Sequence, residues 1–356
     1  MKLAIILGTR PEIIKMAPVI RACRERLDFI LIHTNQHYSQ EMDEIMFREL
    51  DLPKPHYNLN VGSGIHGLQT GRMLERIEQS IIEEKITMVL VHGDTNTTLA
   101  GGLAARKLNL KIGHVEAGLR SFDKTMPEEV NRVLTDHISD FCFAPTLEAN
   151  NNLIREGIAH EKIFVVGNTI VDSVEQNKII AQKKADGVFE KFNLERRKYF
   201  LLTYHRAENT ENEEKIKNVL HAVSFLGLQH DIPVLFPIHP RTEAAISNYQ
   251  IKIPDNIIVT KPLGYLEFLL LMSEAKLIIT DSGGLQEEAC ILRVPCITLR
   301  ENTERPETLK IGCNTLVGTE VQTILDGATL MLNQEIHWSN PFGDGHSAEK
   351  IIDILQ

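Results

Sequence analysis

The sequence predicts an α/β protein with two domains, each containing a mainly parallel sheet, and a cleft between them. Three observations carry this prediction. Short apolar segments typical of buried strands alternate with longer segments of helical periodicity in both halves of the chain. A charged stretch at residues 183–198 interrupts this alternation, which restarts at Tyr199. The chain has 356 residues, which is long for one hydrophobic core. We place the domains at residues 1–166 and 167–344, with a hinge at Val166 and Gly167.

Composition and charge exclude several classes of function. The formal net charge of −10 disfavours a protein that wraps a nucleic acid. No apolar stretch reaches the length of a membrane span. We therefore expect a cytoplasmic protein with no nucleic-acid or membrane partner.

The cysteines and histidines do not indicate a metal site or a disulfide framework. No CxxC, HxH or HExxH spacing occurs, so we expect buried free thiols, no metal and no cofactor. The cysteines are Cys23, Cys142, Cys290, Cys296 and Cys313.

The N-terminal strand, Lys2 to Leu7, leads into the segment GTRPEIIKMAP. Gly8 permits a tight turn, and Pro11 suits the first position of a helix. Arg10 then lies at a helix N-terminus, which favours anions, and Lys15 follows on the same helix. Because the dinucleotide fingerprint GxGxxG is absent, the segment indicates phosphate binding and not hydride transfer.

The rest of the first half continues the alternation of strands and helices. The predicted elements are a strand from Phe29 that ends at Gln36 and His37, helices at 40–50, 68–84 and 97–108, a loop at 52–67, strands at 88–91, 111–115, 141–144 and 163–166, and a helix ending near Gly157.

Three carboxylates follow apolar strands or open a helix in the segment 89–140. Asp94 comes shortly after one strand and Glu116 directly after the next. The carboxyl ends of parallel strands are where open α/β sheets bind ligands, so both residues are expected at one crevice. Glu128 and Arg132 lie one helical turn apart and share a helix face. The alternative for Asp94 is a helix cap, and for Glu128 a favourable place in a first helical turn.

In the second half, the segment TDSGGLQEEA predicts a phosphate-binding turn. Ser282, Gly283 and Gly284 follow a strand and open a helix, so their backbone N–H groups can face a diphosphate. Glu288, one turn into this helix, is placed to accept hydrogen bonds from a ribose. The alternative is a simple tight turn.

Two histidines end strands in this half, each close to an arginine. His205 lies in TYHRAEN and His239 in PIHPRT. Either residue alone would be a structural group, but together they favour phosphate ligands or proton donors. Arg305, in NTERPE, is a further candidate phosphate contact. The last predicted helix, from Ser347 to Leu355, is expected to pack back on the first domain.

These motifs together resemble the non-hydrolysing UDP-N-acetylglucosamine 2-epimerases, which have a glycosyltransferase-B-like fold of two Rossmann-like domains. The shared motifs are GTRPEIIKMAP, HGDTNTT, HVEAGLR, MPEEVNR, YHRAEN, IHP, DSGGLQEEA and NTERPE, in the family's order and over nearly the whole chain.

The resemblance implies a role for each candidate residue. Asp94, Glu116 and Glu128 would be the catalytic carboxylates, with Arg132 beside them. His205 and Arg10 would act at the departing diphosphate, and Phe268 would face the uracil, with His239 nearby. The UDP would be held by Ser282, Gly283, Gly284, Glu288 and Arg305.

The implied reaction is reversible 2-epimerisation of UDP-N-acetylglucosamine to UDP-N-acetylmannosamine. It would proceed by anti elimination of UDP through a 2-acetamidoglucal intermediate and by re-addition, with closure of the cleft to exclude water. Alternatives are another UDP-2-acetamido sugar, such as a 2,3-diacetamido-uronic acid held by Arg120 or Lys124, hydrolysis to free N-acetylmannosamine, or glycosyl transfer. The resemblance also implies a homodimer through the first domain. The helix faces 13–23 and 99–108 are available for it, but burial in the domain's own core explains these apolar faces equally well.

Overall fold

The computed structural model describes residues 1–35, 40–185 and 187–356. These residues form two compact units, the first comprising Met1–Gln176 and Phe342–Gln356 and the second Asn177–Pro341. The chain passes between the units within a helix, later than the predicted boundary after Val166. Gln36 and His37, where the second strand was predicted to end, lie outside the described residues.

The first unit is built on a parallel sheet of seven strands. They are β1 (Lys2–Leu7), β2 (Asp28–His33), β3 (Tyr57–Asn58), β4 (Met88–His92), β5 (Lys111–Val115), β6 (Phe141–Ala144) and β7 (Ile163–Val165). Their spatial order is β3-β2-β1-β4-β5-β6-β7, so the order reverses between β1 and β4. Such a reversal opens a crevice at the carboxyl ends of the two strands.

Helices connect these strands. They are α1 (Arg10–Arg26), α2 (Gln40–Glu49), α3 (His66–Glu83), α4 (Asn96–Lys107), α5 (Pro127–Ile138), α6 (Leu147–Arg155) and α7 (Thr169–Lys184), with a short 3₁₀ turn at His160–Lys162. The central strands are fully buried because helices cover both faces of the sheet, which explains their unbroken apolar sequence. The predicted parallel organisation is confirmed. The edge strand β3 lies inside the segment 52–67, which was predicted as a loop. The strand has only two residues, too few to show a periodic pattern in the sequence.

The second unit has a six-stranded parallel sheet of order β10-β9-β8-β11-β12-β13. The strands are β8 (Phe200–Thr203), β9 (Val234–Pro237), β10 (Ile257–Thr260), β11 (Leu277–Thr280), β12 (Cys296–Thr298) and β13 (Asn314–Leu316). The helices are α8 (Val188–Lys191), α9 (Ala207–Thr210), α10 (Glu213–His230), α11 (Pro240–Asn248), α12 (Tyr265–Ser273), α13 (Gly283–Ile291), α14 (Pro306–Lys310) and α15 (Val321–Asn333). The order reverses between β8 and β11, as it does between β1 and β4.

Helix α15 and strand β13 have no counterpart among the predicted elements. Gly327 in the middle of α15 weakens the helical pattern. A Cβ atom at Gly327 would lie 2.3 Å from Val317 Cγ1, so the glycine allows the helix to approach the chain just after β13. A long-range packing requirement therefore explains a residue that disfavours the helix locally.

The C-terminal helix α16 (Ser347–Leu355) belongs to the first unit and packs against α1. Its apolar face buries Ile351 and Ile352 completely. The backbone N–H of Ala348 donates to Asp172 Oδ1 at 2.8 Å, so a carboxylate of α7 satisfies the start of α16. Among the described residues, no helix has both the length and the apolar composition needed to cross a bilayer.

Candidate active site

In the first unit, the candidate residues lie at the carboxyl ends of three adjacent strands. Arg10 starts α1 after β1, Asp94 lies in the turn after β4, and Glu116 follows β5 directly. The turn and the strand end are joined, because the N–H of Gly93 donates to the carbonyl of Val115 at 3.0 Å. The sheet therefore brings Asp94 and Glu116 to neighbouring strand ends, as predicted.

Asp94 is held by two residues of α5. Arg132 donates to its carboxylate, and the Asn131 side chain donates to its backbone carbonyl at 3.0 Å. Arg132 also pairs with Glu129 at 3.0 Å. The Asp94 side chain remains 31% exposed, so it is both fixed and reachable from solvent.

Glu116 is a buried carboxylate between two basic side chains. Its Oε2 atom accepts from Lys15 Nζ at 2.5 Å and lies 3.4 Å from His92 Nε2, and its side chain is 9% exposed. Burial alone would raise the pKa of Glu116, but Lys15 and His92 hold it well below its usual range. Its backbone is left-handed, with a φ of 70°. Glu116 is therefore an ionised base in an unusual conformation.

Glu128 and Glu129 are adjacent but have different environments. Glu129 is buried and accepts from the backbone N–H groups of Ser121 and Phe122, at 2.9 and 3.0 Å, so it organises the loop before α5. Glu128 is exposed in the first turn of α5. Among the described residues, the ion pairs of Arg132 are with Asp94 and Glu129. The structure therefore does not pair Glu128 with Arg132, although the two share a helix face.

Glu12, which the sequence analysis did not single out, ties α1 to α4. Its carboxylate accepts from the backbone N–H groups of Gly8 and Thr9 at 3.0 and 2.7 Å, and from the Thr95 hydroxyl at 2.9 Å. Burial raises its pKa. Glu12 therefore fixes the loop that precedes Arg10 relative to the turn that carries Asp94.

In the second unit, the candidate site is organised around a fully buried aspartate, Asp281. Asp281 Oδ2 accepts from the backbone N–H groups of His205 and Arg206, both at 2.8 Å. Asp281 Oδ1 lies 3.0 Å from His205 Nδ1. Burial would raise the pKa of Asp281, but His205 and these amides lower it. The carboxylate thus holds the backbone that carries His205 and lies beside its ring.

His239 lies beside His205, with the ring centroids 5.4 Å apart. Its Nδ1 atom accepts from the Arg241 backbone N–H at 3.1 Å, so it caps α11. Burial and the neighbouring His205 and Arg241 lower the pKa of His239. A neutral His239 with Nδ1 as acceptor carries its proton on Nε2, where it can donate to an anion.

The residues Ser282, Gly283 and Gly284, which we call the glycine loop, begin α13 directly after β11. A Cβ atom at Gly284 would contact nothing within 4 Å. Packing within the protein does not explain a glycine there. The open space above a helix N-terminus suits a phosphate, because backbone N–H groups and the helix dipole both face it.

The other residues predicted to bind the nucleotide have different surroundings. Glu288 is buried in α13, and Phe268 is half-buried in α12. Arg305 Nε pairs with Glu287 Oε1 at 2.8 Å. The sequence analysis did not identify Glu287 or Asp281, since buried carboxylates beside a recognised motif carry no pattern of their own.

A cavity of about 430 Å³ in the second unit carries a further set of charges that the sequence did not reveal. Arg300 donates to both carboxylate oxygens of Glu304, at 2.8 and 2.9 Å. This hydrogen bonding lowers the pKa of Glu304 to about 2. Within the part of the chain that the structure describes, no three His, Cys, Asp or Glu side chains are grouped so as to hold a metal ion.

Comparisons with known proteins agree over the full length. Residues 21–356 match the sequence profile of the family described as UDP-N-acetylglucosamine 2-epimerase. The protein of that name from Methanocaldococcus jannaschii is 56% identical over 362 residues, which cover 100% of this chain and 99% of the relative. The UDP-2,3-diacetamido-2,3-dideoxy-D-glucuronate 2-epimerase of Pseudomonas aeruginosa is 41% identical over 365 residues, covering 100% and 99%.

A solved structure of the Methanocaldococcus jannaschii enzyme, in complex with UDP-GlcNAc and UDP, is also similar. It aligns with a TM-score of 0.87 at 56% identity, covering 100% of this chain and 99% of that one. The fold class that the sequence predicts is thereby confirmed. The family profile, the sequence identities and the fold agree, and the chain belongs to the UDP-N-acetylglucosamine 2-epimerase family, whose members are isomerases.

Proposed function

We propose that this protein interconverts UDP-N-acetylglucosamine and UDP-N-acetylmannosamine. The observation that carries the proposal is the buried, ionised Glu116 between Lys15 and His92, at a strand end next to Asp94. Relatives with this activity in their names, including that of Methanocaldococcus jannaschii, support the choice of substrate.

The chemistry requires UDP to leave before the proton does. Carbon 2 of the sugar is not adjacent to a carbonyl, so its proton is not acidic in the bound substrate. As the bond between carbon 1 and the diphosphate oxygen breaks, UDP takes the electron pair and carbon 1 becomes oxocarbenium-like. A carboxylate then removes the acidified proton, whose electrons form the double bond of a 2-acetamidoglucal. Addition of a proton to the opposite face of carbon 2, with return of UDP to carbon 1, inverts carbon 2.

The first unit supplies the groups that move this proton. Glu116 is ionised, so its carboxylate is available to accept a proton, and its contact with Lys15 holds it at the strand end. Asp94, held by Arg132, and the exposed Glu128 are candidates for the acid on the other face. Negative charge from these carboxylates also stabilises the oxocarbenium-like carbon.

The second unit supplies groups for the leaving diphosphate. His205, oriented by Asp281, can donate a proton or a hydrogen bond to UDP as the bond breaks. The glycine loop and His239 Nε2 offer further donors. In this proposal Arg10, at the start of α1, also faces the diphosphate, and Glu288 and Arg305 hold the nucleoside with Phe268.

Proton NMR of the purified protein with UDP-N-acetylglucosamine in deuterated water tests the proposal. We expect the carbon-2 proton signal to disappear while the anomeric signal of UDP-N-acetylmannosamine grows. Free N-acetylmannosamine would indicate a hydrolysing enzyme instead. An unchanged spectrum, together with turnover of a UDP-2,3-diacetamido-uronic acid, would overturn the proposed substrate.

The structure bears on one of the two cations considered for that second substrate. An additional carboxylate on the sugar needs a free cation, and Arg120 was one candidate. Its side chain is 1% exposed and contacts both Asp136 and Glu156, at 2.7 and 2.6 Å. Arg120 is therefore committed inside the first unit, which leaves the exposed Lys124 as the remaining candidate.

We also propose that the protein is a homodimer. The apolar residues of the helix face 13–23 are buried in the first unit's own core, so the alternative of core burial accounts for that face. Exposed apolar side chains occur instead on α3 and α5, which both pack on α4. They include Leu68, Val130 and Leu134, with Ile65 just before α3.

Sedimentation equilibrium tests this assembly. We expect twice the chain mass of 40.2 kDa for the wild type and a monomer for the double substitution Val130→Asp and Leu134→Asp. The control introduces aspartate at the exposed Leu228 of the second unit, which should leave the dimer intact. A wild-type monomer at micromolar concentration would contradict the proposal.

A further inference from the structure

A buried histidine that takes no direct part in the proposed chemistry connects the two strand ends of the first unit. His114 lies in β5, two residues before Glu116, and is fully buried. Its Nδ1 atom lies 2.6 Å from Asp136 Oδ1, and its Nε2 atom lies 2.7 Å from the carbonyl oxygen of Gly93. Both ring nitrogens thus face hydrogen-bond acceptors.

The surroundings of Asp136 show which group carries the protons. Asp136 Oδ2 accepts from the Gly118 backbone N–H at 3.1 Å and lies 2.7 Å from Arg120 Nη1. Burial would raise the pKa of Asp136, but His114 and Arg120 lower it, so the carboxylate is ionised and cannot donate. A carbonyl oxygen cannot donate either. Two acceptors at 2.6 and 2.7 Å are satisfied only by a ring with protons on both nitrogens.

A charged ring is also balanced electrically. His114 and Arg120 contribute two positive charges, and Asp136 and Glu156 contribute two negative charges. Buried charges are tolerated when each has an oppositely charged partner and its hydrogen bonds are satisfied.

The contacts of this group reach both candidate carboxylates. The carbonyl of Gly93 belongs to the peptide bond that leads into Asp94, and Gly93 itself has a positive φ of 71°. The N–H of Gly118 lies two residues beyond Glu116, whose φ is also positive. A shift of His114 would therefore reorient the backbone on both sides of the site.

We propose that the ring of His114 carries a proton on both nitrogens and positions Asp94 and Glu116 by bridging the Gly93 carbonyl to Asp136. His114 is a positioning residue and does not touch substrate. The expected effect of His114 on turnover rests on the proposed function, whereas the proposed charge of its ring is independent of that function.

Neutron diffraction from crystals of the deuterated protein at neutral pD tests the charge without any substrate. We expect deuterium on both Nδ1 and Nε2 of His114. Deuterium on one nitrogen alone would overturn the proposal, whether or not the protein turns over UDP-N-acetylglucosamine.

Two substitutions test the positioning. In His114→Gln the side-chain amide can still reach the Gly93 carbonyl, whereas in His114→Asn it can reach only Asp136. We expect kcat of H114N to fall by roughly 10- to 100-fold with KM nearly unchanged, and H114Q to recover much of this loss. His160→Gln, at an exposed histidine of the same unit, is the matched control and should retain full activity.

A purely structural histidine would give a different pattern. In that case H114N and H114Q would lose thermal stability while keeping the same kcat, and this result would overturn the positioning role. If H114N does not fold, the comparison of H114Q with H160Q decides: H114Q should retain a smaller but measurable loss of kcat, and a kcat equal to that of H160Q would overturn the positioning role.

Discussion

Replacing Glu116 by glutamine is expected to lower kcat for epimerisation by about 10²- to 10⁴-fold, the range typical of a lost general base. Glutamine has nearly the same shape and can accept a hydrogen bond from Lys15, so the local fold should persist. It cannot accept the carbon-2 proton. The measurement is the initial rate of UDP-N-acetylmannosamine formation by NMR, with exchange of the carbon-2 proton followed in the same spectra.

The control for this substitution is Glu161→Gln, which changes an exposed glutamate of the same unit in the 3₁₀ turn. It should have wild-type kcat. Retention of both exchange and epimerisation by a correctly folded E116Q protein would show that another group is the base and would transfer that role to Asp94 or Glu128.

Replacing Asp281 by asparagine is expected to produce the second large effect, a fall in kcat of about 10²- to 10⁴-fold. Asparagine can still accept from the backbone N–H groups of His205 and Arg206. Its NH₂ group would then face His205 Nδ1, which would have to act as an acceptor. The substitution removes the negative charge that stabilises a protonated His205, so UDP departs and returns more slowly.

Asp255→Asn, at a highly exposed aspartate of the second unit, is the matched control and should leave kcat unchanged. An unaltered kcat in a correctly folded D281N protein would rule out His205 as the group that assists the diphosphate.

The same substitution has an effect on folding whose sign follows from the lowered pKa of Asp281. A carboxylate with a depressed pKa in the folded state contributes stability above its ordinary value of 3.8, and this contribution is lost as the pH falls further. D281N lacks it at every pH. Thermal melts should therefore show wild type more stable than D281N at pH 6, with the difference shrinking below about pH 4.

Much of the first unit's site could be predicted from sequence because its strands are mainly apolar and their ends can be recognised. The runs of β4 and β5 end just before Asp94 and Glu116, and parallel strands place such ends at one edge of the sheet. The glycine loop was predictable for the same reason, since it follows β11 directly. In each case the end of a strand, which is visible in the sequence, determines where the side chain lies.

The partners of these residues could not be predicted, because they depend on strand order and side-chain direction. His92 and His114 lie inside strands, where a histidine looks like any other interruption of an apolar run. The contact of His92 with Glu116 arises only when β4 and β5 are adjacent, and that of His114 with Asp136 only when α5 packs on β5. Likewise, the sequence around Glu128 and Glu129 does not show which of these two side chains becomes buried by the irregular loop before α5.

The left-handed backbone of Glu116 sets backbone strain against electrostatic stabilisation at this position. A residue with a Cβ atom in this conformation costs roughly 1–2 kcal/mol relative to glycine. The lowered pKa of Glu116 acts in the opposite direction, because the folded state stabilises the carboxylate through Lys15 and His92. Glycine would relieve the strain but would leave these two basic side chains without their carboxylate, so redesign for stability gains little by removing the proposed base.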